Sequence, residues 1–262
     1  MTLITDEQVS FYHTNGFVTV SGVVPDDHCD YFYNKIRKYA DSNFSAIMNP
    51  DRFDFLLAQS FKMLNQRNSL SEKVSFIDEV REVSYMCRNL LRNRNAYDIL
   101  STIQQKEVCG LMTQMLFKEA FSRYATQAWQ PHQDNAYPKN KNGQYITTNF
   151  FLSDAKKENG SLYAYKRSHL GGLYEHEQKP SYREKAGTNP GNTIPEDVLK
   201  NFERVDLEFK KGDMLILHGN CIHGSYPNHS DTSRPLFSCS YISKGEEFIA
   251  GNNAQRKIIK LI

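Results

Sequence analysis

The chain has 262 residues, with 32 Lys and Arg against 30 Asp and Glu, a balance that argues against the basic face needed for nucleic acid or an anionic membrane surface. Its five cysteines (Cys29, Cys87, Cys109, Cys221 and Cys239) are widely spaced and form no Cys-x-x-Cys pair, so neither a disulfide framework nor a zinc knuckle is implied. Asp6 and Glu7 stand where a secretion signal would be basic, and no apolar run reaches the roughly 18 residues of a membrane span. The expectation is a soluble, cytoplasmic protein, monomer or homodimer, acting on a small molecule and built as one elaborated domain over residues 1–262.

Thr5-Asp6-Glu7-Gln8 reads as a capping box opening a short helix that Asn15-Gly16 stops. A strand is expected over 17–24, and Pro25-Asp26-Asp27 then opens a second helix with Phe32, Ile36 and Tyr39 as its core stripe. From 54 to 118 the chain has helical periodicity and no proline, with stripes at Val80, Val83 and Cys87, at Leu90 and Leu91, and at Val108, Leu111, Met112 and Met115. Arg88, Arg92 and Arg94 read as a solvated helix face.

After Phe121 the texture changes to strands, expected over 121–128, 133–137, 144–152, 161–165, 204–209, 213–218 and 236–242. Asn142-Gly143, Asn159-Gly160 and Lys211-Gly212 supply turns between them. This is a β-sandwich or jelly-roll pattern, with a helical elaboration mainly over 25–120 and a β core mainly over 121–245. The turn-rich stretch 171–195 is too long for a simple connection and reads as a functional loop or lid.

His132-Gln133-Asp134 carries the chemistry. In an extended strand, residues two apart point to the same face, so an imidazole and a carboxylate are offered together. A third ligand must come from elsewhere, and His218 and His223 are the two candidates. A two-histidine, one-carboxylate face leaves three of six octahedral positions open, which suits non-haem Fe(II) that must bind a chelating co-substrate and dioxygen. Such a co-substrate needs a forked cation for its far carboxylate, and Arg234, eleven residues after His223 and expected on a strand, has that geometry.

These stretches resemble the phytanoyl-CoA dioxygenase family of Fe(II)/2-oxoglutarate oxygenases. Residues 3–17 are similar to its N-terminal helix and first strand, His132 to Tyr137 to its His-x-Asp stretch, and Glu158-Asn159-Gly160-Ser161-Leu162 to its mid-barrel turn. His223-Gly224-Ser225 through Arg234 resembles its distal histidine and co-substrate arginine, and Tyr241 to Glu246 its closing strand and turn.

The resemblance implies a mainly β fold with N-terminal helices and a double-stranded β-helix (jelly roll, cupin-like) core. It makes His132, Asp134 and His223 the iron ligands and gives Arg234 and Ser225 the distal carboxylate of 2-oxoglutarate. Gln127, Thr147 and Asn149 would contact the other end of the co-substrate, and His218 becomes structural. The implied cofactors are Fe(II) and 2-oxoglutarate, with ascorbate assisting and dioxygen as oxidant. The implied reaction oxidises an unactivated C–H bond, by default to an alcohol, with succinate and CO2 as co-products; desaturation or oxidative cyclisation uses the same chemistry. The chain departs from the family pattern at Lys166-Arg167, where Pro-Gly is usual before Ser168-His169, and at Asn149, where a bulky aromatic is common. Both departures are expected to border the cavity, pointing to a small, polar or anionic metabolite or natural-product intermediate. Outside this class stand a zinc-dependent cupin-type hydrolase or isomerase, which has no need of Arg234, and a non-catalytic binding module, against which the intact ligand set argues.

Overall fold

The computed structural model describes residues 3–42, 52–54, 69, 71, 82–83, 85–122, 125–126, 128–179, 192–249 and 258–262. Helix α1 (Asp6–Asn15) begins with the expected capping box: the Thr5 hydroxyl accepts from the Gln8 N–H, and the Gln8 side chain accepts from the Thr5 N–H. Gly16 is its C-cap, and the chain passes into strand β1 (Phe17–Val20), shorter than the expected 17–24. Helix α2 (Asp26–Ser42) buries Ile36 and Tyr39 and half-buries Phe32, as its stripe predicts. Strand β2 (Arg52–Asp54) and helix α3 (Arg94–Gln104) follow. Val80 lies outside the described residues. Arg88 and Arg92 are exposed, and Arg94 pairs with Asp98 on the surface of α3.

The helical stripe expected at Val108, Leu111, Met112 and Met115 is instead strand β3 (Val108–Leu116). Its register explains the misleading spacing. Opposite strand β12 (Leu236–Ser243), Ser240 pairs with Met112 but Tyr241 pairs with Gly110, so Leu111 is an extra residue and forms a β-bulge. The bulge shifts the alternation by one, which returns Val108 and Met115 to the same core although they are seven apart. Seven is two helical turns, so a bulged strand here carries a helix-like pattern.

The remaining strands are β4 (Trp129–His132), β5 (Tyr145–Phe151), β6 (Leu162–Tyr165), β7 (Glu177–Gln178), β8 (Asn192–Thr193), β9 (Arg204–Asp206), β10 (Met214–His218) and β11 (His223–Ser225). Two further expectations are corrected. The described residues of 121–128 are not strand, and 133–137 is not strand either, since Asp134–Ala136 forms a 3-10 turn right after β4. The turn is stitched from outside: the Asn135 N–H donates to the Gly219 carbonyl, and the Asn135 side chain bonds Asn140 and Asn220.

Six strands form one sheet in the order β1-β10-β5-β12-β3-β2 and four form another, β4-β11-β6-β9, giving the jelly-roll core; β7 and β8 pair within the 171–195 segment. The larger sheet is buried on both faces, and alternation along its strands sorts the side chains. Ile146, Phe150, Met214, Ile216, Phe237 and Cys239 pack outward against α1, α2 and α3. Phe17, Phe151, Leu215, Leu217 and Leu236 turn inward toward Leu162, Ala164 and Phe209. Phe151 stacks on Phe209 at 3.8 Å between centroids, and truncating either to alanine would cost about 3–5 kcal/mol. Farther along the same inner face, residues Gln114, Thr147, Asn149 and Ser238 are polar. Polar side chains on the inner face of a buried sheet need a reason. All five cysteines are free thiols, and among the described residues no helix is long and apolar enough to cross a membrane.

Candidate active site

The polar part of the inner face lines a cavity of about 80 Å³ walled by both sheets. His132 ends β4 and His223 begins β11, and the two are direct cross-strand partners with ring centroids 4.4 Å apart. Between this pair and Ser225↔Trp129, β4 has two residues where β11 has one, and Pro131, which has no N–H for a ladder, occupies that bulge. Gly224 lies between His223 and Ser225, where a Cβ would collide with the Trp129 carbonyl and the Tyr163 hydroxyl. The His-Gly-Ser run is thus a packing requirement of a strand squeezed between β4 and β6.

Asp134 reaches the same point from the 3-10 turn. Its Oδ1 lies 3.4 Å from His132 Nε2 and its Oδ2 3.7 Å from His223 Nε2. One donor atom from each of the three residues lies within 4.8 Å of the others. His132 Nδ1 is 2.7 Å from the Gln130 carbonyl and His223 Nδ1 is 3.1 Å from the Cys221 carbonyl. A carbonyl only accepts, so each Nδ1 carries a proton, which directs each Nε2 toward the shared point where a metal would take its lone pair. Burial pushes His223 down to about 4, against the pull of Asp134. Burial also opposes the charge on Asp134, but His223, His132 and the Thr147 hydroxyl outweigh it and hold its carboxyl below the usual carboxylate range. At neutral pH His223 is therefore neutral and Asp134 ionised, the protonation states a metal requires. Two imidazole nitrogens and one carboxylate fit Fe(II).

His218, the other candidate ligand, lies apart from this cluster. Its Nδ1 accepts from the Asn220 N–H at 3.0 Å and its ring packs 5.0 Å from His169, so its role is structural. Thr147, expected at the co-substrate, lines the cavity and donates to Asp134 Oδ2 at 2.5 Å; Asn149 lines the cavity beside it. Gln127 lies outside the described residues. Ser225 and Arg234 line the cavity's other end, and Arg234 is only 2% exposed. Arg234 does not sit on a strand as expected but just ahead of β12, where its Nε donates to the Gly160 carbonyl at 3.0 Å.

Lys166 and Arg167 were expected to border the cavity, and among the described residues its lining does not include them. Lys166 is drawn to Glu203 at 2.9 Å, and Arg167 is exposed in a left-handed turn at φ +66°. Lys139 and Lys141 are also exposed. Of the two departures, only Asn149 touches the site.

Sequence reasoning missed the groups that hold the site in shape. Gln133, fully buried between His132 and Asp134, donates to the Gly172 and Asn220 carbonyls and accepts from the Tyr174 N–H. Its own N–H donates to His176 Nε2 at 3.2 Å, which fastens the 172–176 segment to the 132–134 stretch. The available signal was a run of amides, Gln133, Asn135 and Asn140, too polar for an ordinary strand end.

A jelly roll that sets such a face opposite a buried guanidinium stands, as a class, with the non-haem iron oxygenases that take a carboxylate-bearing co-substrate. Residues 12–236 match the family model described as Phytanoyl-CoA dioxygenase (PhyH), and the chain belongs to that family. It is a 2-oxoglutarate-dependent non-haem iron dioxygenase, with Fe(II) and 2-oxoglutarate as its cofactors. Phytanoyl-CoA dioxygenase 1 of Oryza sativa subsp. japonica is 25% identical over 280 residues, covering 97% of this chain and 95% of the relative. Among solved structures, the non-heme alpha ketoglutarate dependent carbocyclase SnoK from nogalamycin biosynthesis superposes with a TM-score of 0.67 at 16% identity, covering 98% of this chain and 95% of that one. EctD from S. alaskensis, solved with 2-oxoglutarate and 5-hydroxyectoine, gives 0.65 at 14% identity over 95% of this chain and 79% of its own.

Proposed function

We propose that this dioxygenase hydroxylates an unactivated C–H bond of a small, polar or anionic metabolite or natural-product intermediate, in the cytoplasm, releasing succinate and CO2. His132, Asp134 and His223 hold the iron, Arg234 and Ser225 take the distal carboxylate of 2-oxoglutarate, Asn149 attends its other end, and Thr147 acts there through Asp134. The observation that carries this reading is the row of polar side chains along the cavity, from the triad through Thr147, Asn149 and Ser238 to Arg234, beside the apolar part of the same inner face. Free thiols at all five cysteines support a reducing compartment.

When bound, Fe(II) and 2-oxoglutarate supply the oxidising chemistry from dioxygen, coupled to decarboxylation of the oxo acid. The chain's own part is placement. Thr147 fixes the rotation of the Asp134 carboxylate, and the Gln130 and Cys221 carbonyls fix both imidazoles. Gln133 and His176 draw the 172–176 segment over the ligand stretch, where water must be kept out. Asp134 supplies the carboxylate ligand whose loss would open a position for halide, so oxygenation is favoured over chlorination. Asn149 adds an amide to the cavity wall and favours a substrate with hydrogen-bonding groups.

The test is succinate release and dioxygen consumption screened across small amino-acid-like and hydroxy-acid metabolites, with isotopically labelled dioxygen. A polar metabolite that stimulates both and gains one labelled oxygen is expected. Stimulation only by acyl thioesters would contradict the substrate class, and a product without label would replace hydroxylation by desaturation or cyclisation.

A further inference from the structure

Ser225 is gripped from behind by a buried lysine. Lys118, 3% exposed, lies two residues past the end of β3, and its ammonium donates to Ser225 Oγ at 2.8 Å and to the Tyr226 carbonyl. Its main-chain carbonyl accepts from Asn228 Nδ2 at 2.9 Å and from the Arg234 N–H at 3.3 Å. Lys118 also adopts φ +39°, a left-handed conformation uncommon for a residue with a side chain. Its stem fills the space beside Gly160, where a Cβ would sit 2.9 Å from Lys118 Cδ and 3.0 Å from the Tyr226 carbonyl. Gly160, at φ +88°, uses its own carbonyl to receive Arg234 Nε. One residue therefore holds the hydroxyl with its side chain and the arginine segment with its backbone.

The chemistry of the grip is asymmetric. An ammonium has donors and no acceptor, so in the Lys118–Ser225 bond the serine oxygen must accept, and its own proton is left to be given elsewhere. Ser225 and Arg234 line the same cavity. A carboxylate only accepts, so it matches a donating hydroxyl beside a guanidinium, whereas a methyl end would leave both donors unmatched. We propose that Lys118 is a positioning and specificity residue, committing the Ser225 hydroxyl to donate into the cavity beside Arg234 and so selecting a 2-oxo acid that ends in a carboxylate. This rests on the assignment of Ser225 and Arg234 to the distal carboxylate.

The experiment compares binding of 2-oxoglutarate with that of 2-oxopentanoate, which has the same chain without the distal carboxylate, to the Fe(II)-loaded protein under anaerobic conditions. Trp129, the single tryptophan and part of the cavity wall, gives a fluorescence readout. Lys118→Met is expected to lower the preference for 2-oxoglutarate about tenfold or more, while 2-oxopentanoate binding stays within about twofold. In a Ser225→Ala background the same substitution should change the preference by less than about twofold, and Lys118→Arg should restore part of it. In turnover, KM for 2-oxoglutarate rises and kcat changes little. Lys118→Gln carries the same comparison should Lys118→Met not fold. An unchanged preference, or equal weakening of both acids, would overturn the proposal by showing a purely structural lysine. A parent protein that binds the two acids equally would overturn the distal-carboxylate assignment, and the role of Lys118 with it.

Discussion

At the proposed metal end of the cavity, His132 and His223 face each other across adjacent strands and Asp134 lies two residues from His132. At the carboxylate end, Lys118, Gly160, Ser225 and Arg234 come from four separate stretches: the exit of β3, the turn before β6, strand β11 and the approach to β12. The first is set by the register of the small sheet and one turn; the second exists only when both sheets are closed. The metal end is therefore expected to fail locally and completely when a ligand is lost, and the carboxylate end to lose affinity by degrees, since several donors share one anion.

The largest effects should sit at the metal end. Asp134→Ala or His223→Ala should abolish stoichiometric Fe(II) binding and lower turnover by at least about 10³-fold, measured by anaerobic metal titration and succinate release. Next, Arg234→Met should leave Fe(II) binding within about twofold and weaken 2-oxoglutarate by roughly 10²-fold, the cost of removing a charge-assisted pair. Loss of metal binding in that variant would erase the distinction between the two ends. Thr147→Val keeps the shape of the side chain but removes the bond to Asp134, and about a tenfold loss in metal affinity is expected, with the 2-oxoglutarate affinity of the loaded protein nearly unchanged. A loss confined to 2-oxoglutarate would return Thr147 to the co-substrate.

The smallest functional effect is expected at His218, the histidine the metal end passes over. Burial, with help from His169 and His13, pushes it down to about 3. An unfolded chain binds that proton near the ordinary histidine value of about 6.5. Between those values the unfolded state holds a proton that the folded state refuses, so stability is full above about pH 6.5 and falls as the pH drops toward 3. His218→Gln should flatten the melting-temperature loss of the metal-free protein between about pH 6.5 and 5.5 by the equivalent of about 1 kcal/mol, without changing metal affinity. An unaltered slope would mean that His218 is already protonated in the fold.

The same contrast governs what the sequence discloses. The convergence of His132, Asp134 and His223 is legible because they lie in two short stretches whose residue types have few other uses together. Even there, the strand expected through Asp134 is a 3-10 turn, held by Gly219 and Asn220 from 84 residues or more away in sequence, a tie no local pattern contains. The bulge at Leu111 hides β3 by restoring a helical spacing, and only the pairing with β12 decides between the two. Lys118 is invisible for a related reason: a lone lysine is ordinarily a solvated group, and only closure of the sheets buries its ammonium against Ser225. Lys166 and Arg167 err the other way, being adjacent in sequence to the mid-barrel stretch but turned to the surface by Glu203 and a left-handed turn.

The most direct test of this two-ended site is an anaerobic titration of metal-free protein with Fe(II) and then 2-oxoglutarate, followed by the visible charge-transfer band of the chelated oxo acid. The parent is expected to develop the band at one equivalent of iron, Arg234→Met to reach the same amplitude only at roughly 10²-fold higher 2-oxoglutarate, and His223→Ala to show none at any concentration. A full band in His223→Ala, or an Arg234→Met protein that never develops one at saturation, would contradict the division of the cavity into a metal end and a carboxylate end.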